Sequence, residues 1–156
     1  MNKISATILL LFTTLFFSDF IIAQENGNSS GKLLRNNINI NISMFDYNVN
    51  YERNIIQWPK SYANLRMGFG VFYLSSMKGY HFNPSWVHLT GKRNNHLELN
   101  LGFKYLIEEG SDDSFFNSLL PDIFAGYRFE RPSGRFIFRK GINLYTLYNI
   151  GIGFKF

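Results

Sequence analysis

The sequence predicts an all-β fold, an antiparallel up-and-down transmembrane β-barrel of eight strands. Three observations point there. From Lys32 onward, apolar and polar residues alternate with period two in one segment after another, as in strands with two unlike faces. The chain is rich in aromatics, with 17 Phe and 9 Tyr, and poor in charge, at 17%; aromatic rings suit a pleated, half-buried surface. The closing stretch YNIGIGFKF alternates up to the last residue, Phe156.

The 156 residues suit one domain. Residues 1–24 carry Lys3, an apolar run from Ile8 to Phe17 and the small residue Ala23, the layout of a secretory signal peptide. Asp19 interrupts the run, which is too short for a membrane-crossing helix. Residues 25–32, ENGNSSGK, read as a polar, flexible leader. Residues 33–156 then form the barrel. With no cysteine, disulfides, thiolate metal sites and cysteine nucleophiles are excluded.

The strands follow in order. Ile38, Ile40 and Ile42 alternate with Asn37, Asn39 and Asn41, and Tyr47, Val49 and Tyr51 with Asn48, Asn50 and Glu52. Leu65 to Tyr73 forms a third apolar row on odd positions. Val87 and Leu89 alternate with Trp86, His88 and Thr90. Leu97 to Ile107 and Ile123 to Phe129 give long odd-numbered rows. Phe136 and Phe138 alternate with Arg135, Ile137 and Arg139, and the closing run completes the set.

A soluble sandwich alternates too, with apolar residues inward; a membrane barrel turns the apolar face to lipid. The apolar rows run for about ten residues, the length a tilted membrane strand needs. The polar faces hold Gly and Asn with a few large charges, whereas a solvated face carries many Lys and Glu. Glycine on a strand marks close approach of other groups, as in a narrow lumen filled by Arg.

Short separators, Gln57–Ser61, Gly91–Asn95 and Arg131–Gly134, alternate with long ones, Ser75–Asn83 and Glu108–Ser118. Short periplasmic turns and long extracellular loops are the pattern of outer-membrane barrels. The apolar phase flips across Ser43–Asp46. A four-residue hairpin there gives an even strand count, while a β-bulge would also flip the phase. A last turn near Asn143–Leu147 must hold an odd number of residues, or a bulge, to keep the even phase. Trp58, Tyr62, Phe129, Phe136 and Phe154 are expected at the periplasmic rim, and Tyr47, Tyr73, Tyr105 and Tyr148 at the outer one.

The lumen is expected to hold a charge network of Glu52, Arg66, His88, Glu98, Lys104, Arg128, Glu130 and Arg139, together with His96. A three-residue turn Lys92–Asn94 would set His88 opposite Glu98 and Thr90 opposite His96. A turn Arg131–Gly134 would set Glu130 opposite Arg135. A His–Glu pair suits acid–base work, but buried charges must be paired in any case, and an eight-stranded lumen is just wide enough to be filled by side chains. The reading is a plug and not an enzyme. The spacing of His81, His88 and His96 matches no zinc pattern. GSDDS (Gly110–Ser114) lacks the Gly and distal Glu of an EF-hand. The glycines of GFGVF and GIGF lie on strands, with no helix following to make a phosphate loop. No cofactor is expected. The basic residues are scattered, which gives no nucleic-acid footprint.

Tyr148, Ile150, Ile152, Phe154 and Phe156 resemble the C-terminal assembly signal of Gram-negative outer-membrane β-barrel proteins. NYER (Asn50–Arg53), GKRNNHLELNLG (Gly91–Gly102) and GYRFERPSGRFIFRKG (Gly126–Gly141) are similar to segments of the small, single-domain outer membrane protein beta-barrel families. The resemblance covers residues 33–156; the short stretch after Gly141 departs from the longer last loop of those families. It implies location in the outer membrane, contact with its lipid, and recognition of the last strand by the barrel-assembly machinery. It implies no shared reaction. The expected role is structural, or surface contact through the loops Ser75–Asn83 and Glu108–Ser118. The alternatives are an outer-membrane lipid-modifying hydrolase, which needs a Ser/His pair on the outer wall, and a soluble secreted or periplasmic ligand-binding barrel, which needs Ile38, Ile40 and Ile42 to face inward.

Overall fold

The structure, a computed structural model, describes residues 36–74, 77–108, 119–131 and 133–156. The expected signal peptide, the leader and segment 109–118, with its GSDDS motif, lie outside the described residues. Eight strands follow one another: β1 (Asn36–Ser43), β2 (Asp46–Gln57), β3 (Ser61–Leu74), β4 (Met77–Lys92), β5 (Asn95–Glu108), β6 (Leu119–Glu130), β7 (Phe136–Asn143) and β8 (Leu147–Lys155). Each pairs antiparallel with the next, and β1 pairs with β8 to close the barrel.

Two turns settle the phase. Ile42 pairs with Tyr47 across the Met44–Phe45 turn. The Ser43 hydroxyl donates to the Asp46 carbonyl at 3.0 Å. The segment Ser43–Asp46 is thus a hairpin, and the outward row passes from even to odd positions. The last turn is Leu144–Thr146, between paired Asn143 and Leu147. Its three residues leave Ile142 and Tyr148 on the same face. Asn143 Oδ1 accepts the backbone N–H groups of Tyr145 and Thr146 at 3.1 and 3.4 Å, and Leu147 takes a left-handed φ of 55°.

The two faces are unlike. On β1 Ile38, Ile40 and Ile42 are 45–53% exposed, while the asparagines between them are buried. Phe69, Leu101, Phe103, Ile123 and Ile152 also project outward. The inward face is polar: among the described residues, five buried carboxylates (Asp46, Glu52, Glu98, Asp122, Glu130) accompany five buried cations (Arg66, Lys104, Arg128, Arg139, Lys155). Inward glycines make room for these groups. A Cβ on Gly151 would collide with Asn41 Oδ1 and lie 2.8 Å from Arg139 Cγ; one on Gly70 would lie 2.5 Å from His81 Nε2.

Several sequence expectations are corrected. The stretch expected as a loop, Ser75–Asn83, is strand from Met77 onward, with Tyr73 opposite Lys78 and Val71 opposite Tyr80. Its inner residues, Gly79, His81 and Asn83, have turn character, yet they alternate with outward Lys78, Tyr80 and Phe82. His81 is therefore a lumen residue and not a loop residue. The phase of β4 is also reversed: Val87 and Leu89 are wholly buried, and Trp86 is exposed. The next turn has two residues, Arg93–Asn94, so Leu89, not His88, lies opposite Glu98, and Gly91 lies opposite His96. Arg93 adopts the left-handed φ, 59°, that such a tight turn requires. Glu130 pairs with Ile137 and not with Arg135, because the connection there is longer than four residues. A bulge at Asn54–Ile56 ends the regular phase of β2.

The aromatic rims are partly as expected. Tyr47 and Tyr73 meet edge to face at 6.5 Å, as do Phe136 and Phe154 at 6.1 Å. Tyr62 stays at its expected end of the barrel, at the start of β3, but turns inward. Its hydroxyl donates to Glu130 Oε1 at 2.6 Å, on the inner side.

Candidate functional site: the lumen

The inner face gathers charge because alternate residues of β2, β3, β5, β6 and β7 project inward at one level. Glu52 and Glu98 form its centre. Glu52 accepts from Arg66 Nε at 2.7 Å and from Arg128 Nη1 and Nη2 at 2.9 and 2.8 Å. Glu98 accepts from Arg66 Nη2 at 2.6 Å and Arg128 Nε at 2.8 Å, and forms an ion pair with Arg139 Nη2 at 2.6 Å. Three guanidiniums thus share two carboxylates, all at most 2% exposed. Planar forks suit such shared pairing better than a point charge.

Asparagine amides complete the shell of Glu52. Asn37, Asn39 and Asn64 donate to it at 3.2, 3.0 and 3.0 Å. Arg139 also lies over the Phe124 ring, 4.5 Å from its centroid, a cation–π contact.

At one end, Glu130 lies 3.7 Å from both Arg128 Nη1 and Lys155 Nζ, and Lys155 also donates to the Arg131 carbonyl at 2.6 Å. Toward the other end a second cluster forms. Asp46 meets His81 Nε2 at 2.7 Å and pairs with Lys104. Asp122 accepts from Asn143 at 2.7 Å and from Asn83 at 3.4 Å.

Of the residues the sequence assigns to the lumen, Glu52, Arg66, Glu98, Arg128, Glu130 and Arg139 come together, while Lys104 belongs to the second cluster. His96 is half-buried, its ring 5.5 Å from that of Tyr62. His88 does not join them. It stands on the outer wall, its ring 5.7 Å from Trp58, because β4 holds the opposite phase. Sequence reasoning missed Asp46, His81, Asp122 and Lys155. Even positions of β2 and β6 and odd positions of β8 were the available signal. Tyr148, Ile150, Ile152, Phe154 and Phe156 are all 41–59% exposed. The Phe156 N–H donates to the Asn36 carbonyl at 2.8 Å, and Asn36 returns the bond at 3.3 Å. The last residue therefore takes part in closing the barrel.

The central carboxylates are occupied by guanidiniums and amides, which suits bracing of the wall. Among the described residues, no three His, Cys, Asp or Glu side chains are grouped to hold a metal ion.

No family model matches the chain, and no curated protein matches it. Among solved structures it is similar to a barrel from work on the de novo design of transmembrane β-barrels, at 14% identity and a TM-score of 0.53. The match covers 82% of this chain and 100% of the other. The likeness is one of fold: a small, closed, eight-stranded barrel of the transmembrane type.

Proposed function

We propose that this chain is an exported outer-membrane β-barrel with a plugged polar lumen. Its role is to brace the envelope or to make surface contacts, and it performs no catalysis. One observation carries the reading: the barrel is inside out relative to a soluble protein, with an apolar outer wall and buried ion pairs within. Exposed apolar area on this scale calls for a cover, and bilayer hydrocarbon is the cover that suits a closed sheet with all strands paired. The resemblance of the final strand to the outer-membrane assembly signal supports export to that membrane and handling by its assembly machinery.

The soluble ligand-binding alternative required Ile38, Ile40 and Ile42 to point inward; they point outward. The hydrolase alternative required a Ser/His pair on the outer wall. His88 stands there, but among the described residues no serine hydrogen-bonds to it, and its ring lies against Trp58. Purified protein in vesicles of outer-membrane lipid is expected to leave the acyl chains intact. Lipid hydrolysis that His88→Ala abolishes would establish the hydrolase.

The membrane reading is tested with Leu101→Arg, at a position 60% exposed on the outer wall. Assembly into outer membranes should be blocked, while Lys60→Gln, in an exposed turn, should assemble normally. Normal assembly of Leu101→Arg would overturn the facing and the reading with it.

A further inference from the structure

Nine buried side-chain nitrogen and oxygen atoms among the described residues lack a hydrogen-bond partner. Seven of them belong to residues lining one cavity: the amide oxygens of Asn41, Asn50, Asn83, Asn100 and Asn149, and Nε and Nη1 of Arg139. Such a concentration marks a site, because buried polar groups are otherwise almost always paired.

The direction of the amides is set by the carboxylates. Asn39 donates its N–H to Glu52, and Asn41 and Asn50 in turn donate to Asn39 Oδ1 at 3.2 Å each. Asn83 donates to Asp122. Reversing any of these amides would turn an oxygen toward a carboxylate or toward another amide oxygen. The free ends of these chains must therefore be oxygens. Those of Asn50 and Asn83 both lie against the inner side of Gly68, and two acceptors brought close together need a donor from the cavity that they line.

Charge and size select the occupant. A cation would meet Arg139 and Lys104 in the same wall, and an anion would meet Asp46 and Asp122. A neutral species that both donates and accepts satisfies the oxygens and the unpaired N–H groups of Arg139. The cavity volume is about 20 Å³, and a water needs roughly 10–15 Å³. We propose that this cavity is an internal hydration site, holding one or two ordered water molecules that donate to the asparagine oxygens and accept from Arg139 Nε and Nη1. Arg139 is thereby held by Glu98 at Nη2 and by water at Nε and Nη1. Around the central ion pairs, Val87, Leu89 and Ile137 are wholly buried and offer water no partner. The lumen is then hydrated in one half only.

Asparagine side chains in the two halves provide the test and its control. In the ¹⁵N-labelled full chain in lipid nanodiscs, magnetisation transfer from water to side-chain amides is measured. Cross-peaks are expected at Asn83, Asn100 and Asn149 and not at Asn39 or Asn64. Their absence at the cavity asparagines, or equal intensity at Asn39 and Asn64, overturns the proposal. Titration with sodium and calcium chloride is the second arm. Saturable shifts of the Asn50 and Asn83 signals would make the occupant a cation and likewise overturn it; flat titrations support water.

Discussion

Glu52 takes hydrogen bonds from two guanidiniums and three asparagine amides, so neutralising it strands charge in a closed space. Glu52→Gln is expected to destabilise the barrel by about 3–5 kcal/mol, the usual cost of breaking one side of a buried ion pair. The urea midpoint for unfolding from lipid vesicles reads this out. Gly151 is expected to tolerate no side chain, since a Cβ would collide with Asn41 and crowd Arg139. Gly151→Ala should cost about 1–3 kcal/mol as overpacking, in the same assay. Glu52, Arg66, Glu98, Arg128 and Arg139 were legible in the lumen because each sat on the polar phase of a strand with a clear apolar row. His88 was misplaced because β4 offers two incompatible rows. Val87 and Leu89 look like the lipid-facing set, yet they fill the lumen beside Glu98, while Trp86 faces out. A narrow lumen admits apolar side chains between ion pairs, and the period alone does not say which row is inside.

At the scale of strands, β5 shows the regular case. Leu97, Leu99, Leu101 and Phe103 face out, each at least 43% exposed, and Glu98, Asn100 and Lys104 are buried. Charge placed on such a wall should cost most near the bilayer midplane and little at its edge. Leu99→Arg is expected to cost about 2–4 kcal/mol and Tyr73→Arg, near a strand end, about 0–1 kcal/mol, compared by the same unfolding measurement. Equal costs would contradict an outer wall immersed in lipid. The flip at Ser43–Asp46 and the kept row across the last turn were legible from phase, because an even loop flips the outward row and an odd loop keeps it; a bulge would serve as well at either place, and the pairing shows turns. The first half of β4 was not. Gly79, His81, Asn83 and Pro84 carry the signals of a loop, and the strand persists because β3 pairs with it from Leu74 onward. The register across Arg131–Gly134 failed because it depends on the number of turn residues, which alternation fixes only to within its parity. That across Lys92–Asn94 failed with the phase of β4, since the two-residue turn there has the other parity.

The whole barrel is closed by two strands far apart in sequence. Ile38, Ile40 and Ile42 pair with Phe154, Ile152 and Ile150, and Phe156 exchanges backbone hydrogen bonds with Asn36. Deleting Phe156 removes both bonds at the seam and the terminal aromatic of the proposed assembly signal. Slower appearance of folded barrel in outer membranes is expected, measured by pulse-labelling against the intact chain. The closed architecture was legible from strand number and from the end of the chain; what the loops contact was not, because scattered polar residues specify no partner. The most direct measurement is the gel mobility of the mature protein from isolated outer membranes, with and without boiling in detergent. A plugged membrane barrel should fractionate with the outer membrane and migrate differently before boiling than after. Recovery in the soluble fraction, with one mobility under both conditions, would contradict the outer-membrane barrel.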